Sequence, residues 1–333
     1  MKSFLALAVA FSLCPCAGAV ELPAGVEIRN YTGWPESIYL NATETPVQTV
    51  IVPAVGGRVV HFSLDGENIL FENFAAEGRI QNDSQDELWL GGYQCDLGPR
   101  GLPPHLALLE GRYGWDLKGD FAAHVTSRPD TDLGIVMEKN FLLAPDTGEL
   151  GILQRMRNVS EKTVSYSLLD RTICKGGGFI FFPLNKHSHF KAGWWQRRTV
   201  DGKAFYDGDK PDAFQARVLD GVLVISAAGN VTQLGADSTA GWIAYAREKL
   251  LFVKYFPCAA SGRYSDGGNT VEVYFDRRAV ELSPLSPETT LAPGQSYTFP
   301  EKWTLTALRK EVTTWEQARK LVRKIPRSPF RTQ

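Results

Sequence analysis

Surplus charge of either sign is missing from this 333-residue chain: 36 Lys and Arg stand against 37 Asp and Glu, a formal net charge of −1. That balance leaves no electrostatic footprint for DNA, RNA or an anionic membrane surface, so neither nucleic acid nor membrane is expected as a partner. The one Lys/Arg-rich stretch, near the C-terminus, has helical spacing and reads as a solvated face. Cysteine is scarce. Of five, Cys14 and Cys16 fall in an N-terminal apolar segment, and Cys95, Cys174 and Cys258 are too few for a disulfide framework. Cys174 and Cys258 have apolar neighbours, so buried thiols are expected. No C-x-x-C or H-x-x-x-H spacing occurs, and no metal or cofactor is expected. No G-x-S-x-G elbow is present, and the run Gly176-Gly177-Gly178 leads into a strand with no Lys-Ser/Thr after it, so it reads as a turn. Beyond the N-terminus no apolar run reaches the ~18 residues that a membrane span needs.

What is present begins with a processing segment. Lys2, the apolar run 4–13 and the small-residue site Ala17-Gly18-Ala19 have the form of a signal peptide. Residues 1–19 are therefore set apart from the fold, with a mature start at Val20 and export to the periplasm or medium expected. Five Asn-x-Ser/Thr sequences, at Asn30, Asn41, Asn82, Asn158 and Asn230, read either as surface glycosylation acceptors or as ordinary turn and strand-end residues.

The rest of the chain is patterned as strands. Short β-branched or aromatic runs occur at 50–53, 58–64, 69–72, 135–143, 150–158, 164–172 and 179–184. They continue at 213–227, 241–246, 250–256, 270–276, 279–283 and 296–306. Asp-Gly and Pro-Asp-Thr-Gly turns punctuate them, and Asp220-Gly221 between alternating runs is a hairpin signal. The fold class expected is all-β, a large antiparallel β-sandwich forming one domain over 20–310, with a short C-terminal helix and tail over 311–333. Residues 75–118, polar and rich in Gly and Pro, read as long loops. The helix is expected over 313–325, with a capping box from Thr313 to Glu316 and Trp315, Ala318, Val322 and Ile325 on one face.

One acid stands out. Glu281 lies between Val280 and Leu282 ahead of a Pro-rich turn, a carboxylate walled by apolar groups at the end of a strand. Such a group is either a general base or one half of a structural ion pair with an Arg such as Arg277 or Arg278.

Several motifs occur in an order that resembles the galactose mutarotase-like (aldose 1-epimerase) superfamily, and most nearly its DUF4380 branch. They are Val52-Pro53-Ala54-Val55-Gly56-Gly57-Arg58-Val59, Asn68-Ile69-Leu70-Phe71, Leu88-Trp89-Leu90-Gly91-Gly92, Asn158-Val159-Ser160, Val280-Glu281-Leu282 and Leu291-Ala292-Pro293-Gly294-Gln295-Ser296. The resemblance implies a β-sandwich with a sugar-sized groove on one sheet, and it makes Glu281 the base that takes the C1 hydroxyl proton of an aldose. The partner acid in that family is a His, and its place here holds Asp170-Arg171-Thr172-Ile173-Cys174. Arg171 keeps its proton near neutrality, so His187, about fifteen residues later, is the displaced acid, with His105 and Asp116 as alternatives; His61, His124 and His189 complete the histidines. Arg58, Arg171 and Lys254 are candidate substrate-binding residues that would suit an acidic sugar. Trp89, Trp194 and Trp195 are candidate stacking platforms, while Trp303 reads as core. The expected function is an exported carbohydrate-binding protein acting on or sensing aldoses or acidic sugars. The alternatives are an aldose 1-epimerase-like isomerase and a non-catalytic module for a protein or polysaccharide partner.

Overall fold

A computed structural model describes residues 21–81, 87–99, 105–201, 203–229, 231–265 and 267–330. The expected signal segment and the sequences at Asn82 and Asn230 lie outside the described residues. Among them the chain forms two antiparallel sheets of 13 and 10 strands. The alternation read from the sequence explains the layers. Inward residues such as Leu234, Val273, Val280 and Leu282 from one sheet meet Ile180, Ile243, Phe252 and Trp303 from the other in one fully buried core. Trp303 is core, as expected, packed edge-on against Phe62, Tyr93 and Phe252. Cys95, Cys174 and Cys258 are buried free thiols. The Asp220-Gly221 turn joins Ala216–Leu219 to Val222–Ser226, with φ positive at both residues.

The helix Trp315–Val322 covers the outer face of the ten-stranded sheet, burying Ala318 and Leu321 against Phe179, Val222 and Trp242. Its capping box sits one residue later than expected. Thr314 is the N-cap, its hydroxyl accepts the Gln317 N–H at 3.3 Å, and the Gln317 side chain accepts the Thr314 N–H at 3.0 Å. Glu316 instead pairs with Lys320 on the exposed face.

One further expectation is corrected, and one of two open readings is decided. Residues 75–118 are not all loop: Gly92–Gly98 is a strand in the 13-stranded sheet, between Arg58–Leu64 and Val164–Lys175. Its Tyr93, Cys95 and Leu97 point into the core, and the flanking glycines hide that inward alternation. Asn158 is not a surface acceptor. It is fully buried, and its amide donates to Lys162 O at 2.7 Å and Leu291 O at 2.9 Å, so a glycan there is incompatible with the fold.

One cation is buried with little compensation. Lys139, on Ile135–Leu143, donates to Gly56 O at 2.7 Å and lies 5.1 Å from the ring centres of both Tyr93 and Tyr113. Burial pulls its pKa down to about 8. Between that value and the usual lysine range near ~10.4 the unfolded chain holds a proton that the folded chain has released, so this group adds stability as pH rises. The unfolding free energy of the wild type relative to Lys139→Met is therefore expected to grow by on the order of 2 kcal/mol from pH 8 to 10 in urea titrations. A difference that stays flat would contradict a buried ammonium.

Candidate functional site

The outer face of the 13-stranded sheet carries a cleft of about 410 Å³. Its floor is a row of residues placed side by side by strand register: Ile173 on Val164–Lys175, Glu281 on Ala279–Pro284, Tyr274 on Val271–Phe275 and Gln233 on Thr232–Ala236. Because side chains alternate, Val280 and Leu282 enter the core while Glu281 between them faces the cleft. This is why an acid sits inside an apolar sequence run.

Glu281 is only 6% exposed. Its Oε2 accepts from Arg171 Nε at 3.2 Å and Nη2 at 3.1 Å, and its Oε1 accepts from the Ser283 hydroxyl at 2.9 Å. The partner is thus Arg171, not Arg277 or Arg278. The residue standing where the resemblance expects an acid is a guanidinium bound to the carboxylate expected to be the base. Arg171 also approaches Glu87 at 3.8 Å and Asp96 at 4.0 Å, so three carboxylates surround one cation. Gln233 Nε2 donates at 3.2 Å to Glu272, a fully buried residue on the same face of its strand as Tyr274.

Aromatic rings supply walls. Trp89 lines the cleft, held against Phe71 with ring centres 5.0 Å apart and with the Arg278 guanidinium 5.5 Å from its ring centre. The Trp89-Leu90-Gly91-Gly92 sequence fixes it there. Gly91 has φ +83°, and a Cβ at that position would lie 2.2 Å from Phe71 O. Tyr206 forms part of another wall and rests edge-on against Trp195 at 4.4 Å.

Of the expected site residues, Glu281, Arg171 and Trp89 come together here. Arg58, Lys254 and His187 do not. Arg58, 1% exposed, donates to Gly91 O at 2.8 Å and Leu109 O at 3.4 Å with Glu110 at 4.0 Å, and burial draws its pKa down to about 10. It serves the cleft only by anchoring the loop that bears Trp89. Lys254 faces inward between the sheets, fully buried, where it contacts Asp170, Thr172 Oγ1 at 2.8 Å and Glu301 at 3.4 Å. His187 is exposed in a turn whose Asn185 side chain caps its N–H at 2.9 Å. None of the five histidines lines the cleft. His105 pairs with Asp130, and His189 bridges Asp237 and Gly267 O. Trp194 and Trp195 are buried, Trp195 bonding Asn269 through its indole N–H, so neither offers a free ring face as a platform. The residues that sequence reasoning missed are Arg197, Tyr206, Gln233, Tyr274 and Asp276. Alternation within 270–276 could have exposed Tyr274 and Asp276, and the Asp201-Gly202 sequence could have marked the hairpin that brings Arg197 and Tyr206 in.

No protein-family model and no curated protein matches the sequence. Solved structures do. A galactose mutarotase-like protein from Lactobacillus casei superposes with TM-score 0.56 at 11% identity, over 85% of this chain and 100% of that one. A candidate aldose 1-epimerase from Escherichia coli gives 0.55 at 11% identity over the same shares of 85% and 100%. A TPR-domain containing protein from Parabacteroides distasonis gives 0.56 at 13% identity, over 81% of this chain and 47% of that one. Identities this low speak to architecture alone, and the architecture of this chain is the galactose mutarotase-like β-sandwich.

Proposed function

We propose that the chain is a carbohydrate-binding protein whose sugar site is the cleft over the Glu281 row. The observation that carries this reading is the Glu281–Arg171 pair, a carboxylate and a guanidinium fixed together at a cleft floor. Acceptor and donors side by side match vicinal hydroxyls, and Trp89 and the tyrosines offer apolar faces to sugar C–H groups. A cleft of about 410 Å³ falls within the ~300–1,000 Å³ usual for small-ligand sites. The order of the sequence motifs supports a place beside the DUF4380 branch. The N-terminal segment supports export, so the ligands would be met outside the cytoplasm.

Binding is favoured over isomerisation. Opening an aldose ring needs a base at the C1 hydroxyl and an acid at the ring oxygen. Glu281 offers the first, but no histidine lines the cleft and Arg171 does not release its proton. Two measurements test the reading. Calorimetric titration with a panel of hexoses, uronic acids and their methyl glycosides is expected to show saturable binding of at least one sugar at one site per chain. Polarimetry of fresh α-glucose and α-galactose is expected to show no acceleration of mutarotation. Failure of every sugar to bind would sink the carbohydrate reading, and a catalysed rotation change would restore the isomerase.

A further inference from the structure

Arg197 is a cleft-lining charge that the site's own residues leave without a counterion. Every other charged group among the described lining residues is engaged. Arg171 is held by Glu281, Glu87 and Asp96. Asp276 Oδ1 accepts the backbone N–H groups of Arg278 at 2.7 Å and Ala279 at 2.9 Å, with the Arg278 guanidinium 3.8 Å from Oδ2. Arg197 is exposed on Trp195–Val200, directly across from Tyr206 on Lys203–Asp207, and both line the cleft. Its guanidinium makes no hydrogen bond or ion pair with any described residue. Its neighbour Arg198, on the other side of the strand, is tied to Asp207 Oδ2 at 2.7 Å and Lys210 O at 3.1 Å.

Resting on the carbohydrate reading above, we infer that the cleft takes a sugar bearing a carboxylate, a uronic acid, and that Arg197 is the residue that selects it. A guanidinium presents a planar fork that meets a carboxylate through two parallel N–H···O bonds. The charge of the lining argues for a single negative charge on the ligand. Arg171 and Arg197 balance Asp276 and Glu281, and Glu87 and Asp96 stand next to Arg171. A monoanion is met by the one cation left open among the described lining residues, whereas a phosphate ester carries a second negative charge toward four carboxylates. Arg58 and Lys254, which pointed to an acidic sugar from the sequence, are buried elsewhere, and Arg197 supplies that chemistry from the hairpin that the Asp201-Gly202 sequence marks.

The test is calorimetric titration at low salt with matched sets: glucose, glucuronate and glucose 6-phosphate, and the galactose series. A uronate is expected to bind about tenfold more tightly than its parent hexose and more tightly than the phosphate ester. Added salt narrows that ratio. Arg197→Met brings it to about one and Arg197→Lys keeps part of it; as Arg197 is exposed, both variants should melt like the wild type. Hexose binding with no uronate preference would overturn the inference and leave the carbohydrate reading standing. So would a preference that survives Arg197→Met, or one that favours the phosphate ester. Absence of binding by any of these sugars would overturn both.

Discussion

Lys254→Met is expected to lower the unfolding free energy by about 3–5 kcal/mol, read as a shift of the urea midpoint. Lys254, Asp170 and Glu301 are all fully buried between the sheets, one cation against two carboxylates. Burial, and next the Glu301 charge, already push the Asp170 carboxyl well above the usual range, and Lys254 works against both. Removing the ammonium leaves two carboxylates with no counterion in a low-dielectric core, and that desolvation penalty outweighs any gain in apolar packing from methionine. The pH dependence has a definite sign. An acid whose folded pKa is raised binds its proton more tightly when folded, so its contribution is full at low pH and is lost as pH rises from the unfolded value toward the folded one. The defect of Lys254→Met should therefore be smaller at pH 5 than at pH 8. Adding Asp170→Asn and Glu301→Gln to it should recover much of the loss. A Lys254→Met protein as stable as the wild type at pH 8 would show that this buried triad is misassigned.

Glu281→Gln is expected to weaken sugar affinity by about 10- to 100-fold, the usual effect of losing a hydrogen bond to a charged group at ~1.5–3 kcal/mol. Glutamine keeps the shape, and its carbonyl can still accept from Ser283 or Arg171. What it removes is the negative charge that orients Arg171 and accepts from a sugar hydroxyl. The fold should tolerate the change, because Arg171 retains Glu87 at 3.8 Å and Asp96 at 4.0 Å as counterions. The variant thus separates binding from stability, which Lys254→Met does not.

The architecture was legible because strands declare themselves locally. Alternation, Asp-Gly turns and the ordered motifs Gly56-Gly57-Arg58, Trp89-Leu90-Gly91-Gly92 and Val280-Glu281-Leu282 each depend on a few adjacent residues. The strand Gly92–Gly98 was hidden because Gly91, Gly92 and Gly98 surround a segment without a β-branched residue, and only its place between two other strands makes it one. Site residues were legible one at a time but not in their pairings. Glu281 and Trp89 were visible as oddities, whereas the Arg171–Glu281 pair joins strands 110 residues apart. Lys254 stands out as a candidate substrate-binding residue because a charge interrupts an apolar strand there. Its partner Asp170 comes from the opposite sheet, 84 residues away, and turns the same position into a core ion pair. The Asp201-Gly202 sequence marks the hairpin that bears Arg197 and Tyr206, but its place beside the cleft comes only from pairing at the edge of the sheet.

The most direct test is a pair of calorimetric titrations with the tightest-binding sugar of the panel, one on the wild type and one on Glu281→Gln, with melting curves confirming equal folding. Saturable binding by the wild type and at least tenfold weaker binding by the variant are the predicted result. Equal affinity in the two proteins would contradict a sugar site at the Glu281–Arg171 floor.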